Sequence, residues 1–133
     1  MTIKYNNVFI EDAYTICGNY ENDGPLSKYF DKKYEKDLYF GEKSWEQAEV
    51  HLLKEANTNI LKKNKLKEED IDLLISGDLQ NQIAASNYMA REFNIPFLGI
   101  FEACSTSGEG LAIGSKYMML VQLVLKKLLL LLI

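Results

Sequence analysis

The sequence FLGIFEACSTSGEGL, residues 97–111, decides the fold of this chain. Its first residues predict a short buried strand, Phe97–Phe101. The small residues that follow predict a helix that begins near Ser105 and continues at least to Met118. Cys104 therefore lies at the turn between the strand and the helix, where the helix dipole and nearby N–H groups stabilise a thiolate. An inert, buried thiol is an equally weighted interpretation of this position.

Glycines are unusually frequent in this predicted helix, at positions 108, 110 and 114. Each costs about 1 kcal/mol in a helix interior relative to alanine. Close backbone packing compensates such a cost, so we expect the helix to be held tightly between two layers of the fold.

The segments that precede the turn alternate between strand and helix patterns. The clearest helix begins at Ser44, which forms a capping-box pattern with Gln47 and is followed by apolar residues at helical spacing. The other predicted elements are a first strand at Val8–Thr15, a strand at Ile71–Ile75 and a helix at Gln82–Phe93. This alternation predicts an α/β layered fold with a parallel-rich sheet and crossover helices.

Composition and charge exclude several classes of protein. The 133 residues predict one domain, and the net charge of −4 comes without the basic stripe of a nucleic-acid-binding protein. The two cysteines and the one histidine match no metal-ligand spacing, so neither a metal nor a cofactor is predicted. No signal-peptide pattern is present, and the cysteine usage is typical of a cytoplasmic protein. His51 is predicted to be a solvated surface side chain.

Ligand sites of parallel α/β sheets lie beyond the carboxyl ends of the strands. Two segments fall there, residues 76–82 and 102–107. In the first segment Asp78 and Asn81 are candidate ligand-binding side chains, although Asp78 is equally a turn former and Asn81 equally a helix cap. The ligand-binding candidates of the second segment are Cys104, Ser105 and Thr106, of which Cys104 is also the candidate catalytic residue.

The last residues form a second compositional region. From Tyr117 the sequence is dominated by leucine, but polar residues interrupt it. No uninterrupted apolar run reaches the roughly 18 residues of a spanning helix, so no transmembrane helix is predicted. The low-complexity ending indicates a disrupted reading frame. We therefore expect a truncated chain with an N-terminal half-domain, residues 1–118, and an aberrant apolar tail, residues 119–133.

Two longer runs of sequence carry a family resemblance. The runs are GEKSWEQAE, Gly41–Glu49, and ACSTSGEGL, Ala103–Leu111, and they are specific in combination. The shorter runs that support them are Gly24–Leu26, Tyr29–Asp31, Ser76–Ile83 and Ile95–Ile100. Together they closely resemble the stage V sporulation protein AD family over about residues 5–118.

The resemblance implies a thiolase-like layered fold, of which this chain would hold an incomplete N-terminal half. It implies that Cys104 matches the cysteine that catalytic thiolases acylate. It also implies a part in the uptake of dipicolinic acid, usually with calcium, into the forespore. The implied partners are other stage V sporulation membrane proteins, with a homodimer in the longer parent protein. The implied location is the cytoplasm or the periphery of the forespore inner membrane.

Two functions follow from the resemblance. In the first, the chain is a binding module and Cys104 is one wall of a dipicolinate pocket. In the alternative, the chain is a thiolase-like acyltransferase with Cys104 as its nucleophile. A nucleophilic cysteine needs a base and an oxyanion hole. Thiolases take the partner side chains of the cysteine from a second half of the fold that this sequence does not contain, so the binding function is preferred.

Overall fold

A computed structural model describes residues 2, 4–120 and 127–132 of the chain. The strands are β1 (Ile16–Cys17), β2 (Lys32–Lys33), β3 (Leu73–Gly77), β4 (Phe97–Gly99) and β5 (Leu128–Leu132). The helices are α1 (Asn19–Asn22), α2 (Trp45–Lys63), α3 (Ala84–Ala90) and α4 (Thr106–Leu120). Two short 3₁₀ turns, Asn81–Ile83 and Ala103–Ser105, lead into α3 and α4.

Strand β3 is the centre of a three-stranded parallel sheet in the order β4-β3-β5. Leu74 pairs with Phe97 of β4 on one side and with Leu129 of β5 on the other. Helix α3 connects β3 to β4, and α4 begins the connection that leads from β4 past β3 to β5. The short strands β1 and β2 form a separate parallel pair. The predicted α/β fold with a parallel-rich sheet and crossover helices is confirmed.

The side chains of β3 alternate between two layers of helices, as the period of a strand requires. Leu74 packs in a core with α2 and α3, and the Ser76 hydroxyl lies 3.0 Å from the hydroxyl of Ser86 in α3. Gly77 faces the opposite way, because a Cβ on Gly77 would meet Thr106 of α4. The sheet therefore lies between α2 and α3 on one face and α4 on the other.

Helix α2 begins where the sequence predicts. Ser44 is its N-cap, and the Ser44 hydroxyl accepts a hydrogen bond from the Gln47 N–H at 3.3 Å. The Gln47 side chain reaches back and accepts from the Lys43 N–H at 3.2 Å, one residue earlier than in an ideal capping box. At the other end Lys62 and Lys63 occupy the last turn, where cations interact favourably with the helix dipole.

The core lies between α2, α3 and the sheet. Its buried members are Leu53, Leu61, Ile71, Leu74, Ala85, Met89 and Ile95. Asn57 of α2 is also fully buried here, with its amide nitrogen 4.0 Å from the sulfur of Met89. Its carbonyl oxygen has no hydrogen-bond partner among the described residues. Most of the apolar free energy of folding therefore comes from the layer between the sheet and helices α2 and α3. The unpaired Asn57 carbonyl oxygen lies in the same layer and opposes folding.

The predicted first strand, Val8–Thr15, is wrong. Residues 8–15 have no regular structure, and the first strand is Ile16–Cys17. Phe9 and Ile10 are 86% and 79% exposed, so the apolar pattern of this segment is not satisfied by burial in the part of the chain that the structure describes. An apolar alternation predicts a strand only where a neighbouring strand is available to pair with it.

The other predicted boundaries shift by a few residues. Strand β3 is displaced by two residues from the predicted Ile71–Ile75 and continues through Gly77, and β4 ends at Gly99 rather than Phe101. Helix α3 is shorter than the predicted Gln82–Phe93, because residues 81–83 form a 3₁₀ turn that ends at Ile83 in a left-handed conformation with φ of 52°.

Helix α4 agrees with the prediction in its bounds but not in its packing. Thr106, Gly110 and Gly114 are buried, four residues apart, so the glycines do permit a close approach on one face. Gly108 and Leu111 are exposed, and a Cβ on Gly108 would meet nothing within 4 Å. Within the described residues, α4 is covered on one face only, and the expected packing between two layers is not present.

The predicted boundary at residues 118/119 falls inside α4, which ends at Leu120. Residues 121–126 of the predicted apolar tail lie outside the described residues. Farther on, the backbone of Leu128–Leu132 forms β5 and pairs with all five residues of β3. Residues 128–132 of the predicted tail therefore form a strand, while the domain boundary and the disrupted reading frame stay predictions.

Candidate functional site

The turn between β4 and α4 joins the two segments that the sequence predicts at the carboxyl edge of the sheet. The Ile100 N–H donates to the Ser76 carbonyl at 3.0 Å, which aligns the residue after β4 with the end of β3. A Cβ on Gly77 would lie 2.4 Å from the Thr106 methyl and 2.5 Å from the Ile100 carbonyl oxygen. Only glycine permits this approach, so Gly77 determines how closely α4 begins to the sheet.

Ala103 and Cys104 form the exposed part of the turn. Ala103 has φ of 46°, in the left-handed region, which costs about 1–2 kcal/mol for a residue with a Cβ. Cys104 follows on the 3₁₀ turn, is exposed and is not in a disulfide. Its thiol makes no hydrogen bond to any described residue. The thiol is therefore presented to solvent, which contradicts the predicted alternative that Cys104 is buried.

Thr106 stabilises the turn from its buried side. It is 2% exposed, and its hydroxyl donates to the Ala103 carbonyl at 2.8 Å while accepting from the Glu102 N–H at 3.2 Å. The hydroxyl is thus engaged on both sides of the left-handed residue. The structure places Thr106 at the predicted site, but as a side chain that stabilises the turn.

Ser105 lies beside Cys104 on the exposed side. Its hydroxyl donates to the Glu102 carbonyl at 2.8 Å and lies 3.3 Å from a carboxylate oxygen of Glu102. These bonds leave the hydroxyl oxygen able to accept a further hydrogen bond. Ser105 and Cys104 are the two predicted site residues that the structure brings together at an open surface.

Asp78 is almost completely buried and faces α3. One carboxylate oxygen accepts from the Gln80 N–H at 2.9 Å, and the other accepts from the Ser86 N–H at 2.7 Å. Ser86 lies in the first turn of α3, where N–H groups lack partners within the helix. Asp78 therefore closes the turn after β3 and caps α3, which are structural roles for both of its oxygens.

Asn81 is exposed and points to a different surface. It lines an open groove of about 330 Å³ along the outer side of α3, together with Ala84, Asn87, Tyr88 and Arg91. A larger groove of about 540 Å³ lies between the end of α2 and residues 66–69 and contains none of the predicted site residues. The structure thus brings Cys104, Ser105 and Thr106 together at the turn. Asn81 lies on the groove along α3, and the Asp78 carboxylate accepts from Gln80 and Ser86.

The other thiol of the chain differs from Cys104. Cys17 is buried in β1, and burial raises the pKa of the Cys17 thiol. Sequence reasoning missed Gly77 and Ala103, which shape the turn. The Ser-Gly-Asp run after the predicted strand was a signal for Gly77, but an alanine carries no signal for a left-handed conformation.

Within the described residues there is no group of three or more side chains that could hold a metal ion. None of the helices described is both long enough and apolar enough to cross a membrane. The chemical groups of the turn are backbone N–H groups, the Ser105 hydroxyl, the Cys104 thiol and the Glu102 carboxylate.

These features define an α/β protein with a cysteine presented at the N-terminus of a helix packed on a parallel sheet. A family model described as Stage V sporulation protein AD (SpoVAD) matches residues 1–129. The Stage V sporulation protein AD of Bacillus subtilis (strain 168) is 48% identical over 108 residues. That match covers 81% of this chain and 32% of the relative, so the chain spans about a third of the length of the curated relative. The chain belongs to the SpoVAD family of stage V sporulation proteins.

Proposed function

We propose that this chain takes part in the binding of dipicolinic acid, with or without calcium, for uptake into the forespore. The observation that carries the proposal is the open turn at the start of α4, on a chain of the SpoVAD family. Dipicolinate is a planar dianion. Carboxylates bind at helix N-termini because the N–H groups and the helix dipole favour negative charge there.

The geometry of the turn supports a carboxylate ligand. Cys104 and Ser105 are exposed at the helix start, and the space in front of Gly108 is empty to 4 Å. Glu102 also lies at this turn, and its carboxylate would repel a dianion in the absence of a cation. A calcium ion shared between Glu102 and the ligand would remove that repulsion, because calcium prefers carboxylate oxygens. We therefore propose calcium dipicolinate as the preferred form.

Calorimetric titration of the chain with dipicolinate, with and without calcium chloride, tests the proposal. Cys104→Trp places a bulky side chain over the turn, and we expect it to weaken binding at least about tenfold, or 1.4 kcal/mol. Lys67→Ala is the matched control, because Lys67 is exposed and lines the larger groove away from the turn. Absence of binding, or equal binding by the chain and Cys104→Trp, would refute the assignment of the pocket.

The proposed setting follows the same resemblance. We propose that the chain acts with other stage V sporulation membrane proteins, at the periphery of the forespore inner membrane or in the cytoplasm. A homodimer of the longer protein and a thiolase-like fold belong to the same proposal. Co-purification with the other stage V proteins from sporulating cells tests the partners, and recovery of the chain without them would count against this setting.

The exposed thiol supports a second candidate function, a thiolase-like acyltransferase. In that reaction the Cys104 sulfur would attack the carbonyl of an acyl thioester, and the thiol of the carrier would leave with the acyl group retained on the protein. His51, the one histidine of the sequence, is hydrogen-bonded to Tyr34 and Glu42, so it does not act as the base for Cys104 in this arrangement. Intact mass after incubation with acyl-CoA discriminates the two: a binding function predicts no adduct, and an adduct lost in Cys104→Ser supports the enzyme.

A further inference from the structure

A cluster of polar side chains lies outside the candidate site, where residues 34–42 meet α2. We call it the His51 cluster, after the histidine at its centre, which was predicted to be a solvated surface residue and is only 34% exposed. His51 Nδ1 lies 3.1 Å from a carboxylate oxygen of Glu42. His51 Nε2 lies 3.1 Å from the Tyr34 hydroxyl, which donates to a Glu55 carboxylate oxygen at 2.7 Å.

The charges around the cluster come from several elements. Glu55 lies one turn after His51 in α2, 3.9 Å from Nε2, and Lys32 of β2 lies 3.7 Å from the other oxygen of Glu55. Asp37 from the segment after β2 acts on Tyr34 through its charge, and Tyr14 from the N-terminal segment, whose pKa is raised, is neutral. The imidazole therefore has one carboxylate on each side, and the nearest cation is already paired with one of them.

The hydrogen-bond distances in this cluster favour one form of His51. The Tyr34 hydroxyl has a single proton, and the 2.7 Å distance to Glu55 is that of an O–H···O⁻ hydrogen bond, so the proton lies there. The Tyr34 oxygen then accepts from Nε2–H. The Glu42 carboxylate is an acceptor only, so Nδ1 must also carry a proton. Only an imidazolium, in which both ring nitrogens donate, satisfies all of these contacts.

The neutral forms of His51 each leave a contact without a proton. If Nε2 lacks its proton, Tyr34 must turn its hydroxyl to the ring, and two oxygens then face each other at 2.7 Å without a hydrogen between them. If Nδ1 lacks its proton, its lone pair faces the Glu42 carboxylate. Burial and the Glu55 carboxylate raise the pKa of the Tyr34 phenol, so Tyr34 keeps its proton and does not relieve either contact.

We propose that His51 is a pH-sensitive latch, which in its doubly protonated form fastens both ends of segment 34–42 to α2. Tyr34 begins this segment and Glu42 ends it, and both contact the same ring. Loss of the Nδ1 proton removes the donor to Glu42, and the segment is then attached to α2 through Tyr34, which also donates to Glu55. Inside the segment, Asp37 accepts from the N–H groups of Tyr39 and Gly41, and the Tyr39 carbonyl accepts from the Glu42 N–H. These bonds close the segment on itself and do not attach it to α2.

Nitrogen-detected NMR of the imidazole, combined with hydrogen exchange, tests the latch in the whole chain. The sequence contains one histidine, so the ring signals are assigned without ambiguity. We expect both nitrogens to carry a proton at the acidic end of the titration and one of them to lose its proton as the pH is raised. Over the same step, amide exchange within residues 35–42, corrected for its intrinsic pH dependence, should rise about two- to fivefold, as expected for a half-exposed ion pair.

His51→Gln cannot become charged, so the extra rise in exchange should be absent from it. Glu69→Gln is the matched control, since it removes a carboxylate from an exposed pair with Lys67 and should keep the step unchanged. If His51→Gln fails to fold, Glu42→Gln replaces it, and the extra rise in exchange should be smaller in that variant than in the unaltered chain. A ring that is neutral throughout, exchange that is independent of the ring titration, or the same step in His51→Gln would overturn the proposal.

Discussion

The close approach of α4 to the end of β3 gives the sharpest prediction, because two glycines of the chain are matched in chemistry and opposite in surroundings. A Cβ on Gly77 would lie 2.4 Å from the Thr106 methyl and 2.5 Å from the Ile100 carbonyl oxygen. Ordinary van der Waals contacts begin at 3.4 Å, so the Thr106 methyl and the Ile100 carbonyl oxygen must each move about 1 Å away from the new Cβ. Overpacking of this kind costs about 1–3 kcal/mol, and a clashing backbone oxygen favours the upper half of that range.

Gly108→Ala is the matched control for Gly77→Ala. A Cβ on Gly108 meets nothing within 4 Å, and alanine is a better helix former than glycine by about 0.8–1 kcal/mol in a helix interior. Because Gly108 lies in the first turn of α4, we expect a gain of about 0.5 kcal/mol. The same substitution should therefore destabilise the chain at one position and stabilise it at the other.

Urea unfolding followed by circular dichroism measures both effects. With a slope of about 1–2 kcal/mol per M, Gly77→Ala should lower the midpoint by about 1–3 M, and Gly108→Ala should raise it by a few tenths of 1 M. The reasoning would be refuted if Gly77→Ala were neutral or stabilising, because α4 would then not begin against the end of β3. Equal shifts in the two variants would refute it as well.

The remaining predictions concern the core, the thiols and the ion pairs. Asn57→Leu should raise the free energy of unfolding by about 1–2 kcal/mol in the same urea assay, since it removes a buried carbonyl without a partner; a loss would show that the carbonyl is satisfied. A disulfide reagent should titrate Cys104 rapidly in the folded chain and Cys17 only after urea is added; equal rates would contradict the burial of Cys17. Burial raises the pKa of Asp31, but hydrogen bonds from Thr15 and the ion pair with Lys63 outweigh burial and hold this pKa below 3.8. The free energy that the Asp31 carboxylate contributes to folding is therefore present above about pH 4 and is lost as the pH falls through the folded pKa. Lys63→Met should reduce the loss of the free energy of unfolding at acidic pH. An unchanged loss would show that the ion pair between Lys63 and Asp31 does not contribute to it.

The layered α/β fold could be predicted because its signals are local. The Ser44 cap, the helical apolar spacing of α2 and the strand that precedes Cys104 each identify an element without knowledge of the rest of the chain. Parallel pairing then follows from the alternation of strands and helices. The predicted helix after Cys104 has the bounds that the structure shows, within two residues.

What could not be predicted depends on contacts between distant segments. Residues 8–15 have a strand-like composition, but a strand also needs a neighbour, and sequence pattern does not show whether one is available. The leucine-rich end has no informative period, so its pairing with β3 could not be distinguished from low complexity.

The candidate site was predicted in position but not in detail. The rule that ligand sites follow the carboxyl ends of strands located the turn at Cys104. The rule does not state which side chains face outward. Asp78 and Thr106 have their polar atoms engaged by Ser86, Gln80, Glu102 and Ala103, contacts that depend on the approach of α3 and α4 to β3. Exposed Cys104 and Ser105 are what remains for a ligand.

The most direct test of the account is an amide NMR titration of the chain with calcium dipicolinate. If the turn at the start of α4 is the binding site, the largest and saturable shifts should fall on the amides of residues 103–108. Cys104→Trp should raise the ligand concentration at half-saturation at least about tenfold. Shifts confined to the groove around residues 66–69, or no saturable shifts at all, would contradict the proposed site.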